Sequence, residues 1–128
     1  MNVVDSSGWL EYFADGPNAS FFADAIETVD ALVVPAISIY EVFKRLLQQR
    51  SEKEALQAVA SMQQGRIVAL DASLAIHSAK LSSDLKLPMA DSIILATAQA
   101  HNAVIWTQDA DFNDIKGVRF IAKATDVR

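Results

Sequence analysis

Cysteine is absent from the 128 residues, which excludes a disulfide framework, a thiolate metal site and thiol catalysis. Positive charge is scarce: 11 Lys and Arg face 16 Asp and Glu, for a net charge of −5. That balance argues against strong sequence-independent binding to phosphate backbones. A nucleic-acid partner must be held by local basic residues, by metal ions or by another subunit. Long hydrophobic runs are missing as well. The stretch "SIILATA" falls far short of the ~20 residues that span a bilayer. The opening "MNVVDSSGW" has neither the basic region nor the apolar stretch of a secretory leader. The expectation is a cytoplasmic protein without a membrane partner. With only 4 Gly and 3 Pro, the chain has no phosphate-cradling glycine loop and no G-x-S-x-G elbow. His77 and His101 stand alone, with no acid or second histidine at a zinc-motif spacing.

What is present is a composition that folds: 52% hydrophobic and 21% charged. The length suits one domain over residues 1–128, with one core and one site. Short Val- and Ile-rich runs predict strands at 2–4, 31–36, 66–70, 103–107 and, more weakly, 118–122. They are continuous rather than alternating, as in a sheet buried on both faces. Helical periodicity predicts helices at 6–14, 19–29, 38–50, 52–64, 72–86 and 89–102. Strands separated by helices imply right-handed crossovers and a parallel sheet, an α/β fold covered on both sides.

In open sheets of this kind, functional groups collect beyond the carboxyl ends of the strands, where strand order reverses. Asp5 follows "NVV", and Asp109 and Asp111 follow "AVIWT". If those strands are neighbours, the carboxylates converge. Each acid also has a simpler account. Asp5 suits a helix N-cap, and Thr107 with Asp109 and Asp111 suits a capped turn. Glu41 borders the apolar stripe Ile39, Val42, Phe43 and Leu46, with Lys44 and Arg45 at i+3 and i+4, so alone it reads as half of a solvated ion pair. Asp91 is harder to dismiss. It sits in the first turn of "PMADSIILATAQA", a helix apolar or small on nearly every side, where a carboxylate is costly without a cation or several donors. Capping with Ser92 nearby is its simpler account. Asp71 is a control, because it also follows an apolar run, "RIVAL", and precedes a helix.

Four or five acids gathered together need a compensating charge. Carboxylate oxygens suit hard divalent ions, so Mg²⁺, or Mn²⁺, is the implied cofactor. Such ions support in-line hydrolysis of phosphodiesters. Trp9, Tyr12 and Phe13 read as a core-facing stripe on the first helix rather than a base-stacking platform.

The segments "VVDSSGWLEYF", "VVPAISIYEVFKRL", "KLPMADSIILATAQA" and "VIWTQDADF" occur in the order and approximate spacing of the PIN domain. The pattern covers essentially the whole chain and most closely resembles the VapC-type toxins of type II toxin–antitoxin modules. The resemblance implies a three-layer α/β/α sandwich with a central, mainly parallel sheet, and a Mg²⁺- or Mn²⁺-dependent ribonuclease. It also implies that Asp5, Glu41, Asp91 and Asp109 are the catalytic, metal-binding acids, with Asp111 a less regular fifth ligand. Ser6 and Thr107 match small hydroxyl positions beside those acids, where they orient carboxylates or water. The family more often has Thr-Asn where this chain has Ser6 and Ser7. The partners implied are RNA and a cognate VapB-type antitoxin, in a homodimer or a toxin–antitoxin hetero-oligomer. An acidic site facing a basic antitoxin segment suits that pairing. Lys44 and Arg45 are candidate rim contacts to RNA, with surface charge as the simpler account.

Three rivals remain at this stage. A phosphoacceptor receiver module would use Asp71 as acceptor with Asp5, Thr107 and Lys123, but leaves Glu41 and Asp91 unexplained. A degenerate PIN domain would only bind. A PIN nuclease of RNA processing would keep the chemistry without the toxin role.

Overall fold

A computed structural model describes residues 1–124. Five strands, β1 (Asn2–Val4), β2 (Leu32–Pro35), β3 (Arg66–Val68), β4 (Val104–Thr107) and β5 (Val118–Phe120), form one sheet in the order β3-β2-β1-β4-β5. Every pairing is parallel. Six helices accompany them: α1 (Ser6–Phe13), α2 (Ala19–Ile26), α3 (Ala36–Gln49), α4 (Glu52–Met62), α5 (Ala72–Leu85) and α6 (Met89–Ala100). No helix among the described residues is long and apolar enough to cross a membrane.

Alternation along the central strands builds the three layers, since successive side chains point to opposite faces. Val4, Val34 and Trp106 join one core with Trp9, Phe22, Val42, Leu46 and Met62 from α1 to α4. Val3, Val33 and Ile105 join the other with Ile94, Leu95 and Ala98 of α6. The result is an α/β/α sandwich around a parallel sheet. Trp9 is fully buried and stacks on Phe13 at 5.7 Å between ring centres, so the α1 stripe faces the core.

Three details depart from the sequence reading. The apolar run at 66–70 is not buried: β3 pairs only with β2, and Arg66 and Ile67 are exposed. Burial on both faces belongs to the inner strands, and the sheet's edges escape it. The second helix stops at Ile26, short of 29; the Thr28 hydroxyl donates to the Asp24 carbonyl, and a 3-10 turn at Val29–Ala31 leads into β2. In turn α3 starts at Ala36, two residues early, because Pro35 ends the strand at φ −62° and ψ 136° and serves as the helix N-cap.

The chain runs β1, β2, β3 outward on one side, then crosses to β4 and β5 on the other. The reversal lies between β1 and β4, which pair Val4 with Trp106. Asp5 and Asp109 therefore leave the sheet at the two strand ends that flank the switch point.

Candidate metal centre

Asp5 is 2% exposed and anchored from three directions. Its Oδ1 accepts from the Gly8 amide at 3.0 Å and from Ser7 Oγ at 2.8 Å; its Oδ2 accepts from Thr107 Oγ1 at 2.7 Å and from Ser7 at 3.0 Å. The capping account is thus correct as geometry, and the cap is also locked to β4. Gly8 permits this close packing of α1: a Cβ there would sit 2.5 Å from Phe22 Cε1 and 2.7 Å from Val4 Cγ1.

Thr107 works in both directions. Besides donating to Asp5, its hydroxyl accepts the Asp109 amide at 2.9 Å, and Asp109 Oδ1 then accepts the Asp111 amide at 2.9 Å. The turn that holds Asp109 and Asp111 beyond β4 is therefore fixed to the residue beyond β1. Glu41 projects from α3 and accepts Ser6 Oγ at 2.6 Å. The ion pair proposed for it does not form: neither Lys44 nor Arg45 reaches a carboxylate within 4.0 Å among the described residues. The Lys44 ammonium lies 5.7 Å from the Tyr40 ring instead.

Asp91, in the first turn of α6, accepts no hydrogen bond from a described residue, and Ser92 Oγ is turned to the Met89 carbonyl. The capping account fails for this residue. Its carboxyl is pushed up to about 7, first by burial and then by the charges of Asp109, Asp5, Asp111 and Glu41. The Asp5 carboxyl is raised to about 6: burial outweighs the donors Thr107, Gly8 and Ser7, and Asp109 adds repulsion. Asp91 thus feels the charges of the four other acids named from the sequence, while Asp71 is not among those that perturb it. Asp71 is exposed and caps α5 through the Leu74 amide at 2.8 Å, beyond the edge strand β3 and two strands from β1. That placement removes the receiver reading. His77 contacts Gln99 and His101 contacts the Thr97 carbonyl, both away from the acids.

Within the group, Asp91, Asp109 and Asp111 each offer a carboxylate oxygen, and these oxygens all lie within 4.8 Å of one another. Asp111, the least regular member by sequence, belongs to this tightest set. Unscreened anionic oxygens at that separation, from a half-buried Asp without a donor, fit a hard divalent cation.

The family model described as the PIN domain matches residues 3–118. The chain belongs to the PIN-domain family. No curated protein matches it by sequence. Among solved structures, this PIN domain is similar to a toxin–antitoxin complex from Klebsiella pneumoniae, at 23% identity over 93% of this chain and 96% of that one, with a TM-score of 0.79. It is also similar to VapC20 of Mycobacterium tuberculosis, a sarcin–ricin loop cleaving toxin, at 14% identity over 92% and 97%, with a TM-score of 0.77. A third is VapBC2 of Rickettsia felis bound to a DNA fragment from their promoter, at 12% identity over 94% and 97%, with a TM-score of 0.72. The fold is that of the VapC-type toxins.

Sequence reading missed two polar residues that this PIN domain builds in. Ser7 contacts both oxygens of Asp5, and Gln108 is buried between Thr107 and Asp109, its Oε1 accepting from Asn18 Nδ2 at 3.0 Å. The signal for Ser7 was its place two residues past Asp5. Gln108 carried none, because its partner lies 90 positions away.

Proposed function

We propose that this protein is a Mg²⁺- or Mn²⁺-dependent endoribonuclease and acts as the toxin of a type II toxin–antitoxin module. The observation that carries the reading is the convergence on Asp91: three carboxylate oxygens within 4.8 Å, and a carboxyl held near 7 by burial and then by four neighbouring acids. Asp91, Asp109 and Asp111 would hold the metal, with Asp5 and Glu41 completing the acidic wall. A bound divalent ion supplies activation of water for attack on phosphorus and stabilisation of the leaving oxygen.

The chain's own residues arrange this chemistry. Thr107 and Ser7 fix the Asp5 carboxylate so that it cannot rotate away, and Ser6 does the same for Glu41. Thr107 also sets the turn that aims Asp109. The wall's negative charge disfavours a phosphate close against the acids unless a divalent ion, when bound, offsets it, so cleavage is expected to depend on metal. The same charge suits a cognate antitoxin of the VapB type that covers the site with basic residues. The reading places the toxin in the cytoplasm as a homodimer or a toxin–antitoxin hetero-oligomer.

The test is cleavage of pooled tRNA and rRNA by the purified chain. Cutting is expected with Mg²⁺ or Mn²⁺, and none with EDTA or with Asp91→Asn, which removes the charge at nearly constant volume. Robust cutting by folded Asp91→Asn would remove Asp91 from the site. A small antitoxin-like reading frame immediately upstream of the gene supports the toxin role; its absence favours an RNA-processing nuclease.

A further inference from the structure

The geometry points to a phosphate-binding cleft beside the acids, in which Arg45 and Lys123 hold the RNA backbone on its approach to the scissile bond. This inference rests on the nuclease reading and adds a substrate path to it.

The cleft has a volume of about 250 Å³ and is walled by Ser7, Glu11, Arg45, Gln49, Gln108 and Lys123. It adjoins the site through Ser7, which is at once a wall of the cleft and a donor to the buried Asp5. Gln108 ties it to the other side of the site, being the residue between Thr107 and Asp109.

The chemistry of the walls favours an anion. Arg45 and Lys123 are exposed, and neither has an ion-pair partner within 4.0 Å among the described residues. Glu11, the one acid in the lining, is engaged elsewhere: its Oε2 accepts the Asn18 amide at 2.7 Å. The Gln108 amide has only a long 3.5 Å contact from Nε2 to the Ser7 carbonyl, which leaves donor capacity for a phosphate oxygen or a ribose hydroxyl. Arg45 also lines a neighbouring cleft of about 280 Å³ with Glu41 and Lys44. It stands one helical turn along α3 from Glu41, roughly 6 Å away along the axis. Positive charge therefore runs along α3 from the acidic wall outward. On the α5 and α6 side, the cleft of about 470 Å³ is lined by Leu70, Met89 and Ile93 among others and offers no cation. In a chain of net charge −5, the strand's phosphates are attracted on the Arg45 side.

The test uses the full chain in EDTA, so that RNA is bound without being cut, and a fluorescently labelled mixed-sequence single-stranded RNA. Arg45→Gln and Lys123→Gln should each weaken binding several-fold, and each should lower the slope of log affinity against log salt by about 0.7. The double variant should lose both contacts, while Lys80→Gln on α5 leaves affinity and slope unchanged. With Mg²⁺, the double variant should raise KM and retain kcat, a split that a merely structural role would not produce. Unchanged affinity and slope in the double variant would overturn the clamp while leaving the nuclease intact. Loss of antitoxin binding with RNA affinity unchanged would reassign the cleft to a protein partner, which also overturns it. Failure of the wild type to bind or cut any RNA would instead fell the nuclease reading itself.

Discussion

Thr107 carries more of the site than any acid does. Fully buried, it bonds Asp5 across the switch point and the Asp109 amide along its own strand. Thr107→Val keeps the shape and removes both bonds, leaving a buried carboxylate oxygen and a backbone amide short of a partner. The expected cost is about 1–3 kcal/mol in chemical denaturation. Cleavage should fall with it, since Asp109 loses its aim; a variant as stable and as active as the wild type would show that the bonds position nothing. The residue type was legible in the sequence as a hydroxyl beside an acid. Its two partners were not, because one lies 102 positions away and the other is a backbone amide.

At the scale of elements, identical local patterns separate by topology. "NVVD" and "RIVALD" both place an aspartate after an apolar run and before a helix, and both aspartates cap the helix that follows. Only the first strand lies at the centre of the sheet, against β4; β3 is at the edge. Asp71→Ala should therefore cost about 1 kcal/mol as a lost cap and leave cleavage unchanged. A folded but inactive Asp71→Ala protein would mean that the site lies elsewhere. Element order and approximate boundaries were legible because periodicity and punctuation are local. Strand exposure was not: "RIVAL" reads as a buried run, and only the absence of a second neighbour for β3 decides otherwise. The boundary at α3 shifted for a similar reason, with Pro35 serving both as the last residue of β2 and as the cap of α3.

For the molecule as a whole, the fold holds carboxyls at a cost, first by burying them and then by bringing like charges together. Asp91 and Asp5 have carboxyls near 7 and 6, against 3.8 for an ordinary aspartate. Between those limits the folded chain binds protons that the unfolded chain has released, so its stability falls as pH rises. In EDTA, the melting temperature should drop between about pH 4 and about pH 7, more steeply in the wild type than in Asp91→Asn. Mg²⁺ binds the deprotonated carboxylates, so its stabilising effect should grow across the same interval. A metal-free melting temperature that is flat, or that rises with pH, would contradict the electrostatic account. Burial and mutual charge were the least legible features of the sequence, since five acids spread from position 5 to position 111 become neighbours only through the parallel order of the sheet.

The most direct test of the centre is calorimetric titration of the apo protein with Mn²⁺, with Asp91→Asn and Asp71→Asn in parallel. The wild type and Asp71→Asn should bind Mn²⁺ alike, and Asp91→Asn should bind it far more weakly or not at all. Equal binding by all three, or none by the folded wild type, would contradict the claim that Asp91 of α6 and the aspartates beyond β4 form a metal site.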